Sequence, residues 1–256
     1  MDNRVAIKNE LYEYVEADDH AYRWERTASR KLPGGVLHEL RMVSQAWQGR
    51  DWQHRLSLFL PATITDPRWA MMTIGSDAPA DQSATHLDFD LACRLGIVCA
   101  HLYDVPNQPL FDGLREDELL AHTLTEYLDT DDATWPLLFP MVKSAVRALD
   151  TIVAVCGEGV GPPPERFIVH GASKRGWTSW LTAVVDSRVS EIVPEVYDNL
   201  NLFAQMPHQV KVWDSYSEMI DDYTEQRLQD KMRLPRGHQL AMIIDPYSYR
   251  HELTCP

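Results

Sequence analysis

The chain has 256 residues, 45% of them hydrophobic and 8 of them Trp, enough apolar side chain for one large core and so for a single α/β domain. With 24 basic against 38 acidic residues its formal charge is −14, which repels phosphate backbones and anionic lipid and argues against a nucleic-acid partner. The start, Met1 to Lys8, lacks the apolar run of a signal peptide, and no later stretch reaches the ~20 apolar residues of a membrane-spanning helix. The chain as written is therefore expected to be cytoplasmic, with no membrane span.

Cys93, Cys99, Cys156 and Cys255 form no CxxC pair and show no zinc-ligand spacing, so reduced thiols are expected, with no metal and no cofactor.

Residues 1–33 read as an N-terminal helical segment, with an amphipathic pattern through Val5, Leu11, Tyr14 and Val15, followed by the aromatic Tyr22-Arg23-Trp24. From Gly34 the pattern changes to strands. Val36 to Trp47 and Trp52 to Leu60, joined by Gln48-Gly49-Arg50-Asp51, read as a hairpin of antiparallel edge strands. Trp69 to Ile74 reads as a buried strand feeding the loop Gly75-Ser76-Asp77. A helix near Asp88 to Leu95 and an apolar strand over Gly96 to Leu102 follow. Strand, helix, strand at this spacing predicts a parallel pair with a right-handed crossover.

Glu116 to Leu128 and Trp135 to Val155 carry helical periodicity, the second with a stripe of Leu138, Met141, Val142, Ala145, Leu149 and Ile152. Gly157 to Pro164 ends it. Arg166 to His170 reads as a third parallel strand, Lys174 to Val185 as the helix behind it, and Ser190 to Asp198 as a fourth strand that Pro194 weakens. Residues 199–244 are amphipathic, aromatic and Met-bearing, the pattern of a helical cap inserted over the sheet.

The chemistry concentrates at Gly171-Ala172-Ser173-Lys174-Arg175-Gly176. A serine hydroxyl becomes a useful nucleophile when a strand-to-helix turn exposes it beside a base, with backbone N–H groups aimed where the oxyanion forms. The spacing here is G-x-S-x-x-G, one residue longer than the usual G-x-S-x-G elbow, so Ser173 reads either as a nucleophile or as an ordinary helix N-cap. The strand before and the helix after favour the nucleophile. Oxyanion donors are then the Lys174 N–H and an N–H of Gly75, Ser76 or Asp77. Lys174 and Arg175 could bind an anionic substrate group; alternatively Arg175 pairs with a structural carboxylate and Lys174 is solvated.

Three blocks together resemble the PhoPQ-activated pathogenicity-related family: Gly171 to Thr178, Trp135-Pro136-Leu137 with Met141 to Ala148, and Asp245-Pro246-Tyr247-Ser248-Tyr249-Arg250. The resemblance runs from about Leu11 to the C-terminus. It implies an α/β-hydrolase-type, mostly parallel sheet flanked by helices, a largely bacterial and often exported family, and Ser173 as nucleophile. It does not define a substrate.

In that fold the triad runs Ser, then Asp or Glu, then His. Asp198 is a candidate acid or a turn residue. His208, His238 and His251 follow it in order but sit in polar surroundings, and His170 is expected to pack in the sheet. The sequence stops at Pro256 where the family continues into another strand, so the sheet is expected to lack its last strands and the chain to be C-terminally truncated. The expected function is serine hydrolysis of an ester, amide or peptide-like bond in a small-molecule or peptide substrate. The alternatives are a binding or signalling protein that uses Trp213, Tyr216 and Tyr223, and an inactive fragment.

Overall fold

The computed structural model of the protein describes residues 9–78 and 84–255. Val5, part of the expected N-terminal pattern, lies outside them. Seven strands, β1 (Arg23–Leu32), β2 (Gly35–Trp47), β3 (Arg50–Pro61), β4 (Trp69–Ile74), β5 (Val98–Leu102), β6 (Arg166–Ala172) and β7 (Val189–Glu195), form one sheet in the order β1-β2-β3-β5-β4-β6-β7. The ladders from β1 through β2 and β3 to β5 are antiparallel, and those joining β5, β4, β6 and β7 are parallel. Five strands, β2, β4, β5, β6 and β7, therefore point the same way.

The helices in chain order are α1 (Glu10–Glu16), α2 (Ala84–Leu95), α3 (Glu116–Thr130), α4 (Leu138–Val155), α5 (Lys174–Val185), α6 (Leu202–Trp213), α7 (Asp221–Glu225), α8 (Leu228–Lys231) and α9 (Pro235–Ile244). Alternation along the strands divides their apolar side chains between two faces. Leu56, Leu58, Met72, Ala100, Leu102, Phe167 and Val169 join the large core with α3, α4 and α5. Phe59, Cys99 and, partly, Met71 and Ile168 join a smaller cluster with Phe89 and Ala92 of α2 on the other face. The expected stripe of α4 is buried along its whole length, from Leu138 to Ile152.

Two expectations change at the N-terminal end. Among the described residues of 1–33, the helix is confined to Glu10–Glu16, where Leu11 and Val15 are buried; Arg23–Leu32 is a strand. That strand caps the hairpin, so β2 lies between β1 and β3, β3 lies between β2 and β5, and neither is an edge. Charged Arg23, Glu25, Arg26, Arg30 and Lys31 make β1 look unlike a buried strand, and they suit an outermost one. At the other end β7 is the edge, which accounts for Pro194 opposite Gly171: an edge strand tolerates a residue with no N–H to donate. Beyond β7 the described residues are helical and add no strand.

Two of the motif blocks tie distant parts together. Lys143 of α4, 3% exposed, donates to the Ala17 carbonyl at 2.6 Å and meets Asp19 at 3.3 Å, pinning the segment after α1. Asp245, also 3% exposed, accepts backbone N–H bonds from Asn201, Leu202 and Tyr247 at 3.1, 2.8 and 2.9 Å. It thereby joins the start of α6 to the end of α9. Cys99 and Cys156 are buried and outside any disulfide, Cys93 is exposed, and no described helix is long and apolar enough to cross a membrane.

Candidate active site

β6 delivers the chain to Ser173 and α5 carries it away. Ser173 holds φ 54° and ψ −126°, a conformation an L-residue adopts only when its surroundings impose it, at about 1–3 kcal/mol. Its N–H donates to the Glu195 carbonyl at 2.9 Å, and its carbonyl accepts from Trp177 N–H at 3.0 Å, which fixes the turn between β7 and α5. The N-cap alternative does not describe it: Ser173 stands at the cap position, but its side chain makes no capping bond and its backbone is not in the extended region caps prefer.

The two glycines of the motif have distinct roles. A Cβ on Gly171 would lie 2.5 Å from the Arg175 carbonyl oxygen, so only glycine lets the strand pass the first turn of α5 so closely. A Cβ on Gly176 would sit 3.0 Å from the Gly171 carbonyl oxygen and 3.1 Å from Tyr197, a tight contact with less overlap. The extra residue before Gly176 thus leaves the close approach intact.

Lys174 and Arg175 are both buried, and neither is solvated. The Arg175 guanidinium grips Glu116 through two 2.7 Å hydrogen bonds and donates through Nε to the Val105 carbonyl at 2.6 Å. Its donors are committed to structure rather than to the expected substrate contact. Lys174 Nζ lies 2.7 Å from Glu116 and 3.0 Å from Asp117. Burial opposes ionisation of Glu116, but the hydrogen bonds from Arg175 and Lys174 outweigh it and hold the carboxyl well below the usual carboxylate range. The sequence hid Glu116 and Asp117 because acidic residues in the first turn of a helix read as ordinary dipole partners.

The loop after β4 leaves the sheet beside the elbow, since Ile74 pairs with Gly171. The Gly75 N–H is already donated to the Leu102 carbonyl at 2.7 Å, which removes it as an oxyanion donor. A Cβ there would collide with the His101 imidazole, so Gly75 serves close packing. Ser76 and Asp77 are exposed, and among the described residues their N–H groups make no hydrogen bond. The Asp77 carboxylate takes Arg115 and Gln108, and Gln108 in turn donates to Glu116 at 2.6 Å. One polar chain therefore runs from the loop through Gln108 and Glu116 to the elbow's two cations.

Above Ser173 lies a cavity of about 500 Å³, walled from below by α3 and α5 and from above by α6, α7 and the turns beside α8. Ser173, Lys174 and Asp198 line it, with Asp117 and Arg233. Asp198 is exposed, and its carbonyl accepts from Leu200 N–H at 2.8 Å.

Among the described residues no histidine lines the cavity, and no side chain hydrogen-bonds to Ser173 Oγ. His208 is exposed, His238 stacks on Phe203 at 4.3 Å, and His251 is exposed near the end of the chain. His170 faces the opposite side of the sheet from the large core, where it meets Thr73 at 3.4 Å and Glu195 at 3.2 Å, packed as expected. The aromatic trio does not share a surface. Trp213 is 73% exposed, whereas the Tyr223 hydroxyl points inward to Asp117 at 2.7 Å.

A mixed sheet with a strained serine between a central parallel strand and its helix defines the α/β-hydrolase fold class. The chain aligns with two solved esterases over nearly its whole length. These are acetyl xylan esterase 1 from Thermoanaerobacterium sp. JW/SL YS485 (13% identity, 95% of this chain and 74% of that one, TM-score 0.54) and an acetyl xylan esterase from Paenibacillus sp. R4 (13%, 96% and 78%, 0.54). At that identity the likeness concerns the fold.

Within the class, the chain belongs to the PhoPQ-activated pathogenicity-related protein family, whose model matches residues 11–256. It is also 33% identical over 263 residues to autocrine proliferation repressor protein A of Dictyostelium discoideum, covering 96% of this chain. The chain spans about half, 52%, of that relative's length.

Proposed function

We propose that the protein is a serine hydrolase that cleaves an ester or amide bond, with Ser173 as nucleophile. The observation that carries this reading is the strained Ser173 backbone, which leaves the hydroxyl uncommitted at the floor of a cavity. Strain of this kind is kept where it serves a site. Ser173 Oγ would bond to the substrate's carbonyl carbon as the carbonyl π electrons move to oxygen. The first free amide of α5, that of Lys174, and one from Ser76 or Asp77 would receive the oxyanion. Collapse of that intermediate breaks the bond to the leaving group, which departs with the proton given up by Ser173 Oγ, and water then releases the acyl group as a carboxylic acid, its other proton returning to Ser173 Oγ. The reading assigns nucleophile and oxyanion donors; no base is assigned among the described residues. Helices α6 to α9 serve as the cap of the site. Turnover of a p-nitrophenyl ester that is lost in Ser173→Ala supports the proposal, and equal turnover by both proteins refutes it.

A second reading is favoured by the relative's name and by the lack of a histidine beside Ser173 among the described residues: a signalling protein on a hydrolase scaffold. It expects Ser173→Ala to keep full biological effect.

A further inference from the structure

The cavity over Ser173 is far larger than a small acyl group needs, and its walls are mostly apolar. Leu124 and Trp177 form its floor with Ser173, while Leu202, Met206, Tyr223 and Met232 close it from above. Several of the polar groups that reach it are already engaged. Asp117 holds Lys174 and the Tyr223 hydroxyl, Lys174 also holds Glu116, and Tyr197 stacks its ring on Trp177 at 5.1 Å while its buried hydroxyl has no hydrogen-bond partner among the described residues. Asp198 and Arg233, which make no ion pair among the described residues, are exposed and so lie toward solvent. A sugar buried here would bring several hydroxyls to a largely apolar wall, and each one left without a partner costs free energy on desolvation. An apolar group gains from every atom it buries.

Resting on the hydrolase reading, we propose that this cavity receives an apolar group of the substrate, a medium-length aliphatic chain or an aromatic ring, attached to the bond that Ser173 attacks. The volume lies within the usual range for small-molecule sites, ~300–1,000 Å³. Methionines from two directions suit a pocket that adapts to chains of varied shape. The prediction differs from what the names of the esterase neighbours suggest, since an acetyl group would leave the cavity nearly empty.

The test separates binding from catalysis. Calorimetric titration of the whole polypeptide compares 1-octanol with ethanol. With about fourfold gained per buried methylene, octanol is expected to bind at least about a hundredfold more tightly. Met206→Trp and Met232→Trp fill the cavity from different segments and are expected to weaken octanol tenfold or more. A photoreactive diazirine analogue of octanol, which needs no variant, should label peptides carrying Leu124, Met206 or Met232. Failure of octanol to bind, labelling confined elsewhere, or unchanged affinity in a filled variant of normal melting temperature overturns the proposal. Octanol binding with a Ser173 inert to fluorophosphonate supports the apolar site and removes the hydrolase reading alone.

Discussion

Arg175 and Glu116 meet in a two-pronged ion pair, Nη1 to Oε2 and Nη2 to Oε1 both at 2.7 Å, directly behind the turn that holds Ser173. Lys174 shares the same carboxylate and also meets Asp117, so two acidic side chains from α3 balance the two cations of the elbow. Glu116→Ala would strand the Arg175 guanidinium and leave Lys174 with Asp117 alone. The expected loss is about 2–3 kcal/mol, less than for a fully buried pair because the carboxylate is 39% exposed and partly screened. Urea denaturation reads it. The sign with pH follows from a carboxyl held below its ordinary value: its contribution is complete above that value and is lost as pH falls through the depressed folded one. The wild type should therefore lose its advantage over Glu116→Gln only on strong acidification.

Gly171→Ala and Gly176→Ala should differ. The first drives a methyl into the Arg175 backbone and should cost about 3 kcal/mol or more; the second meets a looser wall and should cost about 1 kcal/mol. Thermal unfolding of the two variants checks the order, and a reversed order contradicts the elbow geometry.

Ser173→Gly relieves the strained backbone and is expected to raise stability by about 1 kcal/mol while removing the hydroxyl. Ser173→Ala keeps the strain and should leave stability nearly unchanged. A site that stores strain predicts this divergence, and an ordinary N-cap predicts that both lose stability.

Asp245 satisfies three backbone amides with one buried carboxylate. Asp245→Asn replaces an acceptor oxygen by a donor and is expected to cost about 1–3 kcal/mol. Hydrogen exchange should accelerate first at Asn201, Leu202 and Tyr247.

His54 is buried, its Nε2 3.0 Å from Ser44 and its Nδ1 3.2 Å from the Tyr103 carbonyl, and burial pushes its pKa down to about 4. The unfolded chain takes up that proton near 6.5, so stability should fall as pH drops from about 6.5 toward 4. An NMR titration should show the His54 ring neutral at pH 5, and a midpoint near 6.5 would contradict its burial.

Much of the parallel half of the sheet was legible because β4, β5 and β6 are short apolar runs ended by turn residues, and α5 begins and ends where its periodicity does. β1 was not legible, since a charged outermost strand lacks the apolar alternation that marks a half-buried one. At the site, the position of Ser173 followed from local pattern, whereas the fate of Lys174 and Arg175 depended on Glu116, which is 58 and 59 residues away in sequence. Periodicity also could not divide the aromatic residues of 199–244 between cavity and solvent. No residue of α6 is fully buried, so its sequence carries no strong inward stripe.

The central claim is that the Ser173 hydroxyl is a reactive nucleophile. Treating the whole, folded polypeptide with a fluorophosphonate and mapping the adduct by mass spectrometry tests it most directly. The account predicts a phosphonyl adduct on the peptide containing Ser173, absent after denaturation and absent in Ser173→Ala. A folded protein that stays unmodified at Ser173, beside a control serine hydrolase fully labelled, would contradict it.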